Sequence, residues 1–374
     1  MKIGVPAESE PQETRVAASP ETAKKFIALG AEVLVASGAG AKAGVQDADF
    51  AAAGARIVEQ DEALGANIVL KVRRPDAAET AKLAKGALVV ALMDPYGHQD
   101  ALGALARADV AAFAMELLPR ITRAQGMDVL SSQANLAGYR AVIDGAAEFG
   151  RALPMMMTPA GTVPAARIFI MGVGVAGLQA IATARRLGAI VTATDVRPAT
   201  KEQVESLGAK FVAVEDDEFK QAETAGGYAK EMSDAYKAKQ AALVATHIAK
   251  QDIVITTALI PGRPAPKLVS ADMVGSMRAG SVLIDLAVER GGNVEGAQAG
   301  TTVTSANGAK IVGVSNVTRL AATASALYAR NLYAFVETLI DKPSKAIMVK
   351  WDDELVKATL LTRDGAVVHP TFVA

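Results

Sequence analysis

The 374-residue chain contains no cysteine. Disulfides, thiolate metal sites and cysteine nucleophiles are thereby excluded, in keeping with a reducing compartment. Histidine is scarce, with His98, His247 and His369 the only three. Each suits a surface or packed position better than a catalytic one, and no metal centre is expected. Aromatics amount to 4%, which favours close-packed helix and sheet layers over aromatic-rich sandwiches. The net charge is −1, so nothing electrostatic points to nucleic acid. A neutral chain can still hold a nucleotide through backbone amides. No apolar run reaches the roughly 20 residues of a spanning helix. The longest, 168–184, is broken by Gly172, Gly174, Gly177 and Gln179. Residues 1–6 (MKIGVP) read as a first strand and not as an export signal.

What is present is apolar residues, 51% of the chain, over a length that suits two domains. Strand-like runs at 3–6, 31–36, 67–72, 87–92 and 110–115 alternate with helical patterns. A long helix is expected over 132–152. A second series of strands follows at 167–171, 190–194, 211–214, 252–256, 281–285 and 310–314. A second long helix is expected over 320–340, after which the tail 345–374 rejoins the first part. Strands alternating with helices imply parallel, doubly wound sheets. The expected fold is therefore α/β, two Rossmann-like domains joined by long helices. Their expected bounds are 1–131 plus 320–374, a discontinuous domain, and 132–319. Met155-Met156-Met157 reads as core filling. The acidic run 215–218 reads as a solvated helix start. The polar stretch 216–239 reads as helix or loop, long for a strand connection.

Gly172-Val173-Gly174-Val175-Ala176-Gly177 spells G-x-G-x-x-G between the strand 167–171 and a helical run over 178–187. The first glycine permits a tight turn, the second admits a pyrophosphate, and the third lets helix pack on strand. The helix N-terminus offers amides and a positive dipole to phosphates. The next strand, 190–194, ends at Asp195, eighteen residues past Gly177. An acid near that offset accepts hydrogen bonds from adenosine ribose hydroxyls and repels a 2′-phosphate. The cofactor read from this is NAD(H), with Arg197 as the contrary sign, since an arginine there can cover a phosphate. A glycine turn in a non-binding α/β domain is the plain alternative.

With those residues placed, the chain resembles the NAD-binding alpha component of proton-translocating transhydrogenases, relatives of the alanine dehydrogenases. The resemblance runs through residues 4–20 (GVPAESEPQETRVAASP), 119–142 (PRITRAQGMDVLSSQANLAGYRAV), 158–189 and 222–232 (AETAGGYAKEM). It implies that Arg120, Gln125, Asp128 and Ser131 hold the nicotinamide end of NAD(H), flanked by Ile121 and Thr122. It implies a closing loop at Gly226-Gly227-Tyr228, with Tyr228 at its tip, and cofactor contacts from Val175, Val196, Gln240 and Leu259. An Arg–Asp pair can fix a loop and a neutral amide can bond the carboxamide. Asp128 or Ser131 also suits a simple helix N-cap. The implied activity is reversible hydride transfer between NAD(H) and NADP(H). The implied partners are an NADP(H)-binding subunit and a membrane-spanning subunit that translocates protons. A homodimer, cytoplasmic and peripheral to a membrane, is also implied.

The rival is an alanine dehydrogenase-type oxidoreductase, which must move a proton as well as a hydride. Arg15 and Lys71 fall where that enzyme's substrate-binding Arg and Lys resemble this chain. They read equally as relics, as solvated ion pairs or as a true site. Its catalytic His is expected in or just after 87–93, where this chain has Ala91-Leu92-Met93-Asp94-Pro95 and His98 only beyond a turn. Its catalytic Asp is expected in 285–289, where Glu289 takes the second acidic position. Hydride transfer between two nicotinamides needs only proximity and orientation. The loop 261–266 (PGRPAP) lies at a strand's carboxyl end, where it can line a cofactor cleft.

Overall fold

The computed structural model describes residues 1–220, 232–260, 262–314 and 317–373. The chain divides into two compact units, one of Met1–Gln133 with Thr318–Ala374, the other of Ala134–Val317. The second is thus inserted into the first.

The first unit is built on a sheet whose parallel strands are β1 (Lys2–Val5), β2 (Glu32–Ala36), β3 (Arg56–Val58), β4 (Ile68–Arg73), β5 (Leu88–Leu92) and β6 (Ala111–Ala114). Between the units' sheets in sequence comes a small separate hairpin, β7 (Met156–Thr158) with β8 (Gly161–Val163).

The second unit follows the same logic as the first. Its sheet strands are β9 (Arg167–Met171), β10 (Ile190–Thr194), β11 (Lys210–Phe211), β12 (Ile253–Thr256), β13 (Val282–Asp285), β14 (Thr302–Thr304) and β15 (Lys310–Val312). Their order is β11-β10-β9-β12-β13-β15-β14, parallel except for β14. Alternation along β9 sends Ile168 and Ile170 into one core and Phe169 and Met171 into the other. The chain runs outward from β9 through β10 and β11, then returns to β12 on its other side. The carboxyl end of β9 is therefore the topological switch point, where doubly wound sheets bind ligands.

The tail returns to the first unit. A short antiparallel pair, β16 (Ile340–Asp341) and β17 (Ala346–Ile347), comes first. Then β18 (Leu360–Arg363) adds antiparallel to β6 and β19 (Ala366–Val367) to β18, giving the order β19-β18-β6-β5-β4-β1-β2-β3. The strands β4, β5 and β6 are buried almost throughout, as expected where helices cover both faces of a parallel sheet. One face packs Phe26, Phe50, Phe113, Tyr328 and Phe335. The other packs Leu64, Val69, Val89, Leu102 and Leu105.

Both long helices form, at Val129–Glu148 and Ala321–Glu337, starting three residues earlier and ending sooner than the pattern implied in the first case. Asp128 explains the earlier start, since its carboxylate caps that helix. The run 211–214 is a strand only at Lys210–Phe211, because Val214 N donates to the side chain of Gln240 instead of a neighbouring strand. Met155, Met156 and Met157 are not core: they are 61%, 44% and 73% exposed. The β7–β8 hairpin carries this apolar run outward on a surface turn. The acidic run does open a short helix, Asp217–Lys220. Among the described residues no helix is long and apolar enough to cross a membrane.

Candidate functional site

The second unit presents the glycine turn. Gly172 follows β9 with φ +102°, a conformation that L side chains rarely adopt, and a Cβ there would meet Thr257 Oγ1 at 2.6 Å. At Gly177 a Cβ would lie 1.9 Å from the carbonyl oxygen of Gly172. This glycine lets the helix Val175–Arg186 close onto the strand. Gly174 is different: a Cβ there meets nothing within 4 Å. It is the N-cap of that helix, exposed and with no side-chain cap, so the first-turn amides remain open. Two glycines are needed for packing and one borders open space, the cradle a pyrophosphate requires. The helix Val129–Glu148 braces the turn from behind. A Cβ at Gly138 would lie 2.0 Å from Ala176 O. From sequence Gly138 is only a tolerated helix glycine, so this contact has no local signal.

Asp195 stands at the end of β10, its side chain 7% exposed. Its Oδ2 accepts from Val173 N at 2.7 Å, and Oδ1 accepts from Arg197 N at 2.9 Å. Arg197 folds back onto the same carboxylate through Nε (2.9 Å) and Nη2 (3.0 Å). Val196 between them is exposed, and Val175 also faces outward. Gln240 works as a clasp, accepting from Val214 N at 2.8 Å and donating to Thr194 Oγ1 at 3.2 Å. Leu259 is 54% exposed just past β12. Its loop is held by Asn293, fully buried, which accepts from Ala258 N and donates to Ala258 O and Pro266 O. Asn293 was not legible as a site residue, because its partners lie about thirty residues away. Gly227 and Tyr228, with Gly226, lie outside the described residues.

The first unit presents the loop of Arg120. A 3-10 turn, Thr122–Met127, leads into the long helix. Arg120, Thr122 and Gln125 are exposed and Ile121 is half-buried. Asp128 accepts from Ser131 N at 2.9 Å and Ser131 Oγ at 2.5 Å. The N-cap reading therefore holds for Asp128, while Ser131 lies inside the helix as its donor. Among the described residues no ion pair joins Arg120 to Asp128; the amide and hydroxyl of Ser131 occupy the carboxylate. Other residues fix the loop. Asn331 donates to Gly126 O at 2.9 Å and accepts from Ser132 Oγ at 2.7 Å. Arg123 grips Asp353 with both terminal nitrogens, at 2.7 and 2.8 Å, and this holds the Asp353 carboxyl below its usual value.

Arg15 and Lys71 are not solvated. Lys71 is fully buried against Glu79 (2.8 Å) and Glu8 (3.4 Å), and Tyr328 donates to its carbonyl. Arg15 binds Glu13 at 2.6 Å and Gln133 at 2.9 Å. Glu8 spans the switch point between β1 and β4 by accepting from Val72 N and Arg73 N. Burial pushes the Glu8 carboxyl up, more than Lys71 and the two amides pull it down. Glu13 is also penalised by burial, but the bond and charge of Arg15 with the charge of Arg73 bring it below normal. The crevice of the first sheet is thus filled by the chain's own paired charges. Met93 is fully buried, where the rival enzyme's histidine would be expected. His98 bonds Asp94 O through Nδ1 at the start of a helix, and His369 accepts from Thr371 N through Nδ1. His247 bonds Thr192 Oγ1 at 2.8 Å and packs edge-on against Phe169.

Residues 4–137 match the alanine dehydrogenase/PNT N-terminal domain and residues 141–370 its C-terminal domain. An NAD(P) transhydrogenase subunit alpha polypeptide of Rhodospirillum rubrum is 55% identical over 380 residues, covering 100% of this chain and 99% of that protein. The solved transhydrogenase of Sinorhizobium meliloti superposes with a TM-score of 0.90 at 58% identity, over 98% of this chain and 100% of that one. A solved L-alanine dehydrogenase gives 0.81 at 28% identity, over 100% and 98%. With both domains matched and a near-full-length relative at this identity, the chain belongs to the alanine dehydrogenase/PNT family, among its NAD(P) transhydrogenase alpha subunits.

Proposed function

We propose that this chain is the NAD(H)-binding component of a proton-translocating transhydrogenase. In this reading it works as a homodimer at the cytoplasmic side of a membrane, with an NADP(H)-binding subunit and a membrane-spanning subunit. The observation that carries the reading is the turn at Gly174, uncapped and bordered by open space, with Asp195 one strand away.

The residues fit the nucleotide. The first-turn amides of the helix Val175–Arg186 would hold the pyrophosphate. Asp195 would accept the adenosine ribose hydroxyls, which favours NAD(H). Arg120, Ile121, Thr122, Gln125, Ser131 and Tyr228 are proposed for the nicotinamide end, with Asp128 positioning Ser131. Bound NADH supplies a hydride from its dihydronicotinamide ring. The chain's own contribution is orientation, which can account for much of the acceleration of such a step. Gln125 is suited to it, exposed on a turn whose backbone Asn331 and the Arg123–Asp353 pair hold still. No oxygen or nitrogen changes its proton count in hydride transfer between nicotinamides, so the burial of Met93 and the position of His98 at a helix start cost the reaction nothing.

The test is one cuvette: purified chain with NADH, pyruvate and ammonium, followed by absorbance, with NADH binding read by fluorescence. Binding without oxidation is expected, followed by hydride transfer once the NADP(H)-binding partner is added. Steady oxidation of NADH without that partner would overturn the reading in favour of an alanine dehydrogenase.

A further inference from the structure

Asp195 has no acceptor position left for a ribose. A carboxylate offers about four lone-pair sites, and the structure fills four. Two are taken by backbone amides, Val173 N on Oδ2 and Arg197 N on Oδ1. The other two, one on each oxygen, are taken by the guanidinium fork of Arg197, with Nε on Oδ1 and Nη2 on Oδ2. A vicinal diol reads a carboxylate in that same two-point manner. The diol and the fork therefore compete for the same pair of sites. The two side chains differ in exposure. The Asp195 side chain is 7% exposed and tied to two amides, whereas the Arg197 side chain is 30% exposed. Arg197 also donates from Nη2 to Val173 O, at a longer 3.2 Å.

We infer that Arg197 is a selectivity residue that competes with the ribose diol for Asp195 and moderates the exclusion of a 2′-phosphate. The inference rests on the proposed NAD(H) site. The carboxylate alone would repel a phosphomonoester strongly. Paired with Arg197 it is close to neutral, and the displaced guanidinium remains beside the ribose edge as a phosphate partner. Discrimination between NADH and NADPH is then a property of the pair. Arg197 weakens NADH binding by competing for the carboxylate and strengthens NADPH binding by offsetting its charge.

The experiment measures dissociation constants for NADH and NADPH by nicotinamide fluorescence on the full chain, with a thermal melt for each variant. Arg197→Ala should bind NADH at least as tightly as the unsubstituted chain. It should bind NADPH more weakly, moving the ratio by roughly 5- to 10-fold, as expected for one charge contact in largely aqueous surroundings. The shift should shrink with added salt. Arg197→Lys keeps the charge without the fork and should restore most of the NADPH binding. If Arg197→Ala weakens both nucleotides equally, Arg197 is a simple contact and the inference fails while the site stands. If the unsubstituted chain binds NADH nowhere near this turn, shown by unchanged binding in Asp195→Asn, both readings fall together.

Discussion

Two alanine substitutions three residues apart should have opposite signatures, because the glycines they replace face different things. At Gly177 the new Cβ would sit 1.9 Å from Gly172 O, where ordinary contact begins at 3.4 Å, an overlap of about 1.5 Å against backbone. Overpacking of that kind costs about 1–3 kcal/mol. Replacing a helical glycine by alanine returns about 1 kcal/mol. The net loss is roughly 0–2 kcal/mol, a melting shift of a few degrees for a unit of this size. Because the helix must move off its strand, nucleotide binding should fall as well. At Gly174 the Cβ meets nothing and φ is −79°, which alanine adopts freely. The melting temperature should therefore stay within about 2 °C. The methyl group would nevertheless stand where a phosphate approaches the open amides. Losing one charge-assisted hydrogen bond there costs about 1.5–3 kcal/mol, roughly ten- to a hundredfold in Kd. NADH fluorescence titration beside a thermal melt reads both quantities. A Gly174→Ala chain that binds NADH normally would refute the placement of the pyrophosphate at this turn, whatever Gly177→Ala does.

Gln125→Asn shortens an exposed amide on a fixed turn and should slow hydride transfer, measured with the NADP(H)-binding partner, more than it weakens NADH binding. Equal losses would reduce Gln125 to a binding contact. Lys71→Ala strands Glu79 and Glu8 without their cation in a fully buried position, which should cost about 3–5 kcal/mol in urea unfolding; a loss below about 1 kcal/mol would mean that water reaches the cluster. His247 has a depressed pKa because burial penalises its cation, with Lys250, Lys210 and Arg167 adding repulsion. A base lowered in the folded state contributes stability that is complete above its unfolded pKa of about 6.5. That contribution is lost as pH falls from there through the lower folded value. His247→Gln should flatten the acid limb of the denaturation midpoint, and an unchanged slope would assign the limb to other groups.

Strands buried on both faces were readable as mainly apolar runs, and β4, β5, β9 and β12 fall close to where those runs lie. The edge strands Arg56–Val58 and Thr302–Thr304 were not, since three residues with an exposed face carry little pattern. Composition misled at Met155–Met157, because an apolar run cannot report that a hairpin lifts it from the surface. The glycine turn was legible because its requirements are local, set within six residues. The cap formed by Asp128 and Ser131 was legible for the same reason. The expected pairing of Arg120 with Asp128 depended on which donor comes nearer, and spacing is silent on that. Asn331, whose amide reaches Gly126 across 205 residues, has no sequence signal at all.

The order in which the chain is synthesised matters for the first unit. Its sheet is finished only by β18 and β19, with Thr362 Oγ1 donating to Val110 O and accepting from Ala112 N. The inserted unit is complete by Val317, so during translation it can fold while the first unit still has an open edge at β6. That edge is an unpaired strand until β18 emerges, the kind that invites aggregation. Truncation in the tail should therefore harm the unit made first and spare the unit made second.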